Sequence, residues 1–247
     1  MKKKTDILII LAICLMIAGC GKKDNKTDNI IPQNDQAGNA KISEADTSEI
    51  ATTEEYAQTE TGAVDTLAQG SSSNTLVVYF SRTGEQYTVG VIEKGNTAIV
   101  AEMIAQQTGA DLFEVLPADD HYPMTYAELT DVAKQEQNDN ARPAYAKDVP
   151  DLSQYTTIFI GAPVWWGDWP MIMYTFFEQN AEGLSGKRLV PFSTHEGSGL
   201  SGFDRKLKTA CPDSIILDGL AIRGNDCQND QDSVRNKVSD WILELKQ

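Results

Sequence analysis

The chain has 247 residues, of which 41% are hydrophobic, and 36 acidic against 21 basic side chains give it a formal net charge of −15. That balance excludes a nucleic-acid binder, which needs basic contacts to phosphate, and excludes adsorption to anionic lipid by charge. It suits a soluble domain that docks electrostatically to a basic partner.

Lys2, Lys3 and Lys4 precede an almost wholly apolar run from Ile7 to Ile17, which meets Ala18, Gly19 and Cys20. A basic start, a short apolar run and a small-residue end make a signal peptide, and the run falls short of the roughly 20 residues that a membrane-spanning helix needs. Ile17-Ala18-Gly19-Cys20 resembles the bacterial lipobox, which predicts cleavage after Gly19 and lipid on Cys20. The alternative is an ordinary leader with an incidental Cys. Two or more acyl chains suffice for stable anchoring. The mature chain is therefore expected outside the cytoplasm, lipid-anchored to a bacterial membrane.

Residues 1–19 read as the leader, 20–73 as an acidic, polar tether poor in large apolar side chains, and 74–247 as the folded domain. Such a tether buries too little apolar surface to fold, and as a flexible coil it reaches roughly 40 Å. The folded part holds 25 acidic and 14 basic residues. With Cys14 removed and Cys20 lipidated, Cys211 and Cys227 remain; they make no disulfide framework, though one bond between them stays open.

From Thr75 a regular alternation begins. Leu76 to Phe80 is a strand-length apolar run without polar alternation, as in a strand buried on both faces. Asn96 to Thr108 places Ile99, Val100, Met103 and Ile104 on one helical face. Leu112–Leu116 predicts a second strand and Tyr126–Asn138 a polar helix. Thr156–Gly161 is a third strand and Met171–Gln179 a helix; Arg188–Ser193 is a fourth strand and Leu200–Thr209 a helix. Ser214–Ala221 is a fifth strand, and Asp232–Leu245 an amphipathic final helix. Five strands alternating with helices predict one parallel sheet covered on both faces, with a ligand site outside the carboxyl ends of the strands.

Three loops follow such ends. After the first strand, Ser81-Arg82-Thr83-Gly84 offers hydroxyls and backbone N–H groups of the kind a phosphate monoester needs, although such residues also cap helices. After the third, Pro163-Val164-Trp165-Trp166-Gly167 places two adjacent Trp in a loop, either to stack on a flat ring or to pack into the core. After the fourth, Thr194-His195-Glu196-Gly197-Ser198-Gly199 lets backbone approach a ligand.

Leu76-Val77-Val78-Tyr79-Phe80-Ser81-Arg82-Thr83-Gly84 resembles the first strand and phosphate loop of flavodoxins, and the likeness continues collinearly to the C-terminus. The resemblance implies a three-layer α/β sandwich, a five-stranded parallel sheet in the order 2-1-3-4-5, and FMN as cofactor. It carries Ser81, Arg82, Thr83, Asn96 and Thr97 to the FMN phosphate. Pro163, Val164, Trp165, Trp166 and Gly167 fall along the flavin ring, with Trp165 or Trp166 against one face. Thr194, His195, Gly197, Ser198 and Gly199 fall at its pyrimidine edge. It also gives the Gly167 peptide the freedom to turn its carbonyl toward a protonated flavin nitrogen. The chain departs from the family in the stretch from Glu85 to Lys94, inserted between Gly84 and Gly95, which would form either a flap over the phosphate or a surface excursion.

No catalytic group stands out beyond His195 as a proton donor. Ser198 and Ser201 lie in no Gly-x-Ser-x-Gly elbow, and two His with two distant Cys fit no metal pattern. His121 reads as structural, with Asp119 and Asp120 in a solvated turn. In such a protein FMN supplies the redox chemistry and the chain positions it. Acidic surroundings would disfavour the anionic reduced flavin. The expected function is electron transfer with a redox protein or a small quinone-like acceptor. The alternatives are an FMN-dependent NAD(P)H:quinone-type oxidoreductase and a flavin-free binding module on the same fold.

Overall fold

The computed structural model describes residues 74–246; the leader, Cys20 and the tether lie outside the described residues. In chain order the elements are β1 (Thr75–Tyr79), a hairpin of β2 (Gly84–Gln86) and β3 (Gly90–Ile92), α1 (Asn96–Thr108), β4 (Asp111–Glu114) and α2 (Tyr126–Asp139). A 3-10 turn (Leu152–Gln154) leads to β5 (Thr157–Pro163), α3 (Met171–Gln179), the short α4 (Ala181–Leu184) and β6 (Arg188–His195). The chain ends with α5 (Phe203–Ala210), β7 (Ile215–Ile216), β8 (Leu220–Arg223), α6 (Gly224–Asn229) and α7 (Gln231–Glu244).

The main sheet runs β4-β1-β5-β6-β7, with β8 also on β6, and every pairing in it is parallel. This is the expected 2-1-3-4-5 order. The fifth strand differs in being split: β7 pairs with Arg188 and Leu189, and β8 resumes at Phe192. Pro191 of β6 lies at the break and has no N–H to donate toward the fifth strand.

The strands read as continuous apolar runs because both faces are covered. Leu76 and Val78 of β1 join Ile158, Ile160, Trp169 and Phe176 in one layer, whereas Val77 and Tyr79 join Ile99, Met103, Phe159 and Val238 in the other. Alternation is thus present in side-chain direction and absent from composition.

The helix expected from Leu200 begins only at Phe203, because Ser201 and Gly202 hold left-handed backbone at φ 51° and 70°. β4 starts and stops earlier than expected, its Glu114 pairing with the last residue of β1, Tyr79. Cys211 and Cys227 are both free and buried, in different core layers, which closes the possibility of a bond between them.

Candidate cofactor site

A cleft of about 310 Å³ opens at the carboxyl ends of β1, β5 and β6. Its walls are the hairpin residues Gln86, Tyr87 and Val89, the start of α1 at Asn96, one face of α2 (Tyr126, Leu129, Thr130, Ala133), the segment Pro163–Gly167, and Thr194, His195, Glu196 and Ser198 with Gly224. Ser81, Arg82, Thr83, Thr97, Gly197 and Gly199, expected at the cofactor, are not among the residues lining this space.

At one end the loop after β1 lies against the N-terminus of α1. A Cβ on Gly95 would sit 2.1 Å from Ser81 Oγ and 2.7 Å from the Arg82 carbonyl oxygen, so only glycine permits this approach. The Ala98 N–H donates to Ser81 Oγ at 3.0 Å. The amides of Asn96 and Thr97, both buried residues, have no partner among the described residues, and the first turn of α1 carries neither a side-chain cap nor an acidic residue. Buried N–H groups at a helix start are a standing demand for an anion, and the helix dipole favours negative charge there. A phosphate monoester fits that demand. The Thr97 hydroxyl is already engaged with Thr194 Oγ1 at 2.7 Å, so Thr97 could serve such a group through its amide.

The inserted stretch closes on itself. Gly84 pairs opposite Ile92, which returns the chain to Gly95 beside Ser81 and leaves the loop and the helix start adjacent. The Glu85 N–H donates to the Met124 carbonyl and the Tyr126 N–H to a Glu85 carboxylate oxygen, each at 2.8 Å, and the Tyr87 and Tyr126 rings lie 5.4 Å apart. The hairpin is therefore a wall of the cleft, docked on the start of α2.

Arg82 departs from its expected place. One guanidinium nitrogen donates to both Asp120 carboxylate oxygens and another to the Tyr122 carbonyl, all at 2.8 Å. The side chain thus clamps the turn after β4; Asp119 and Asp120 are exposed there as expected, and Asp120 is in addition an ion-pair partner. Next to it, Tyr122 Oη donates to Glu136 at 3.2 Å and His121 Nε2 meets the same carboxylate at 3.2 Å. Burial raises the Glu136 carboxyl above its ordinary 4.5, and the Asp119 carbonyl, followed by Glu136, raises His121 above 6.5.

Both groups hold their protons more tightly in the folded state. Their contribution is complete below the unfolded value and is lost as pH rises through the folded one. Glu136→Gln should therefore gain stability relative to the natural chain as pH is raised from about 4 to about 8. Thermal melts of the two across that range check it; a gap that is constant or narrows contradicts the assignment.

The ring-side wall is a tight turn. The Trp165 N–H donates to the Asp168 carbonyl at 3.0 Å and the Asp168 N–H to the Trp165 carbonyl at 2.9 Å, with Trp166 and Gly167 between them at φ 50° and 72°. Two left-handed central residues are the mark of a type I′ turn. For a bulky side chain that backbone is strained. Trp166 is held in it by its Nε1–H to the Thr130 carbonyl (2.8 Å), by Gln137 Nε2 donating to its carbonyl (3.3 Å), and by Lys134 over its ring at 5.0 Å.

The Trp residues of this segment have three different fates. Trp165 packs edge-on to Phe80 and Tyr122 while lining the cleft; Trp166 is 53% exposed; Trp169 is buried, stacked on Phe203 at 3.6 Å. The Gly167 carbonyl accepts from Lys206 Nζ.

On the third side His195 Nδ1 accepts the Gly197 N–H at 2.9 Å, which leaves the hydrogen of the neutral ring on Nε2. Burial holds this imidazole below the ordinary 6.5, so His195 lines the cleft as a neutral ring with a donor N–H. Glu196, not among the residues expected at the cofactor, accepts the Asn225 N–H at 2.6 Å and pairs with Arg223 at 3.2 Å. A Cβ on Gly224 would fall 2.4 Å from Asn96 Nδ2, so that glycine lets α6 close behind the helix start. The α2 face was visible in the 126, 129, 130, 133 spacing, but nothing in that pattern said that it borders a cleft.

The family model for flavodoxin matches residues 74–242. A candidate flavoprotein from Bacteroides eggerthii is 30% identical and superposes with a TM-score of 0.52, over 67% of this chain and 95% of its own. Another, from Bacteroides uniformis, is 28% identical with a TM-score of 0.52, over 67% of this chain and 97% of its own. No curated protein compared with the chain matches it. With the sheet order, the cleft at its carboxyl edge and these likenesses in agreement, the chain belongs to the flavodoxin family.

Proposed function

We propose that this protein binds FMN and carries electrons on the outer side of a bacterial membrane, anchored by lipid on Cys20. The observation that carries the reading is the pair of unpartnered buried amides at the start of α1, beside an aromatic-walled cleft at the carboxyl edge of the sheet. The phosphate would lie on the Asn96 and Thr97 amides near the Ser81 and Thr83 hydroxyls. The ring would lie along Pro163–Gly167, with Trp165 against it and His195 and Ser198 at its polar edge. FMN supplies the redox chemistry. The chain binds and orients it, and the His195 Nε2–H donates to it. The excess of acidic residues supports a basic redox protein as partner.

Reconstituting the full chain with FMN tests the reading. Bound flavin should appear in the visible spectrum, and Trp165→Ala should weaken binding about tenfold, the size of one lost stacking contact. No bound flavin after reconstitution would refute the proposal. A second reading, reduction of a small flat acceptor, draws support from the exposed Tyr87, Tyr126 and Trp166 beside the cleft. Oxidation of NAD(P)H that depends on an added quinone would favour it over the carrier.

A further inference from the structure

Lys206, on α5, reaches across to the two loops that border the ring-side of the cleft. Its ammonium donates to the Gly167 carbonyl, pairs with Asp168 Oδ1 at 3.2 Å and donates to the Ser201 carbonyl at 3.3 Å. Asp168 is in turn fixed by Tyr174 Oη at 2.9 Å and by its neighbour's N–H, from Trp169, at 2.8 Å. Gly167 lines the cleft, and Lys206 does not. One cation thus stands one peptide unit behind the wall, in a domain whose other charges are predominantly negative.

We infer that Lys206 is a positioning residue that sets how strongly the site favours reduced over oxidised flavin. The inference rests on FMN binding in this cleft. The oxidised ring is neutral, whereas the reduced ring readily carries a negative charge. A fixed ammonium behind the wall attracts only the latter. Without Lys206, the Asp168 carboxylate is left unpaired on the same wall and repels the reduced form. The ammonium also joins the Trp165–Asp168 turn to the Ser201 backbone, so it holds the two loops at one separation.

The test uses the full chain and compares Lys206→Met, Lys206→Arg and the double change Lys206→Met with Asp168→Asn. Dissociation constants are measured for oxidised FMN and, without oxygen, for dithionite-reduced FMN. Lys206→Met should weaken reduced FMN about tenfold more than oxidised FMN, the scale of one partly screened unit charge. Lys206→Arg should restore the ratio, and the double change should restore most of it by removing the orphaned carboxylate. In the flavin-free protein, amide exchange at Trp165 and Asp168 should speed up in Lys206→Met. Equal weakening of both flavin forms would reduce Lys206 to a prop for the loops and overturn the inference, as would no weakening at all. A natural chain that binds no FMN would overturn the functional reading itself, and the inference with it.

Discussion

Gly95→Ala is expected to lower FMN affinity by roughly a hundredfold, equivalent to about 2.7 kcal/mol. The added methyl would stand 2.1 Å from Ser81 Oγ and 2.7 and 3.0 Å from the Arg82 carbonyl oxygen and nitrogen. Ser81 Oγ can rotate away, but only by abandoning the Ala98 amide. The Arg82 backbone has less freedom still, because its guanidinium is clamped to Asp120 and Tyr122. The loop would have to lift from the helix start, separating the Ser81 hydroxyl from the first turn of α1. Overpacking of this kind also costs about 1–3 kcal/mol of stability. Flavin fluorescence titration measures the first effect and urea unfolding the second; affinity equal to that of the natural chain would mean that phosphate is not held here.

Trp169→Ala should be the most damaging single change in the Trp-rich segment, destabilising the fold by about 3–5 kcal/mol. The residue is 1% exposed; its ring stacks on Phe203 at 3.6 Å, meets Phe177 edge-on and donates Nε1–H to the Phe203 carbonyl at 3.3 Å. Removing it leaves a cavity between α3 and α5 and takes a second hydrogen bond from the carbonyl of Phe203, the first residue of α5. Trp166→Ala should stay within about 1 kcal/mol of the natural chain, since the residue is half exposed and the loss of the Thr130 hydrogen bond and the Lys134 contact is partly offset by a less strained backbone. Paired denaturation curves decide it: similar losses for the two substitutions would show that the exposed ring carries more of the fold than its surroundings suggest.

That contrast marks what the sequence could reveal. Apolar runs and helical spacing disclosed the alternation of strands and helices, and the topology of parallel sheets then confined the ligand site to three loops. Which of three nearby Trp is core, wall or surface was not legible, because composition is the same and only the turn at Trp166–Gly167 separates their directions. Arg82 misled for a related reason. Its position in a phosphate loop suggests an anion contact, yet a carboxylate 38 residues later claims it. The stretch from Glu85 to Lys94 looked like an interruption of the site. As a hairpin it begins and ends at the same place, and so adds a wall without displacing what it divides. The break in the fifth strand follows from one proline on its neighbour, a cause that no reading of the fifth strand by itself could supply.

The two thiols among the described residues, Cys211 and Cys227, lie under different layers of one sheet. Burial pushes Cys211 up to about 11 and Cys227 up to about 12, so neither is a reactive thiolate at neutral pH. Any alkylating reagent must wait for the layer above to open. Because each layer holds one of these two thiols, the rates at which Cys211 and Cys227 are labelled give two separate clocks, one for each face of the sheet. They would show whether the helices on the two sides come away together or one at a time.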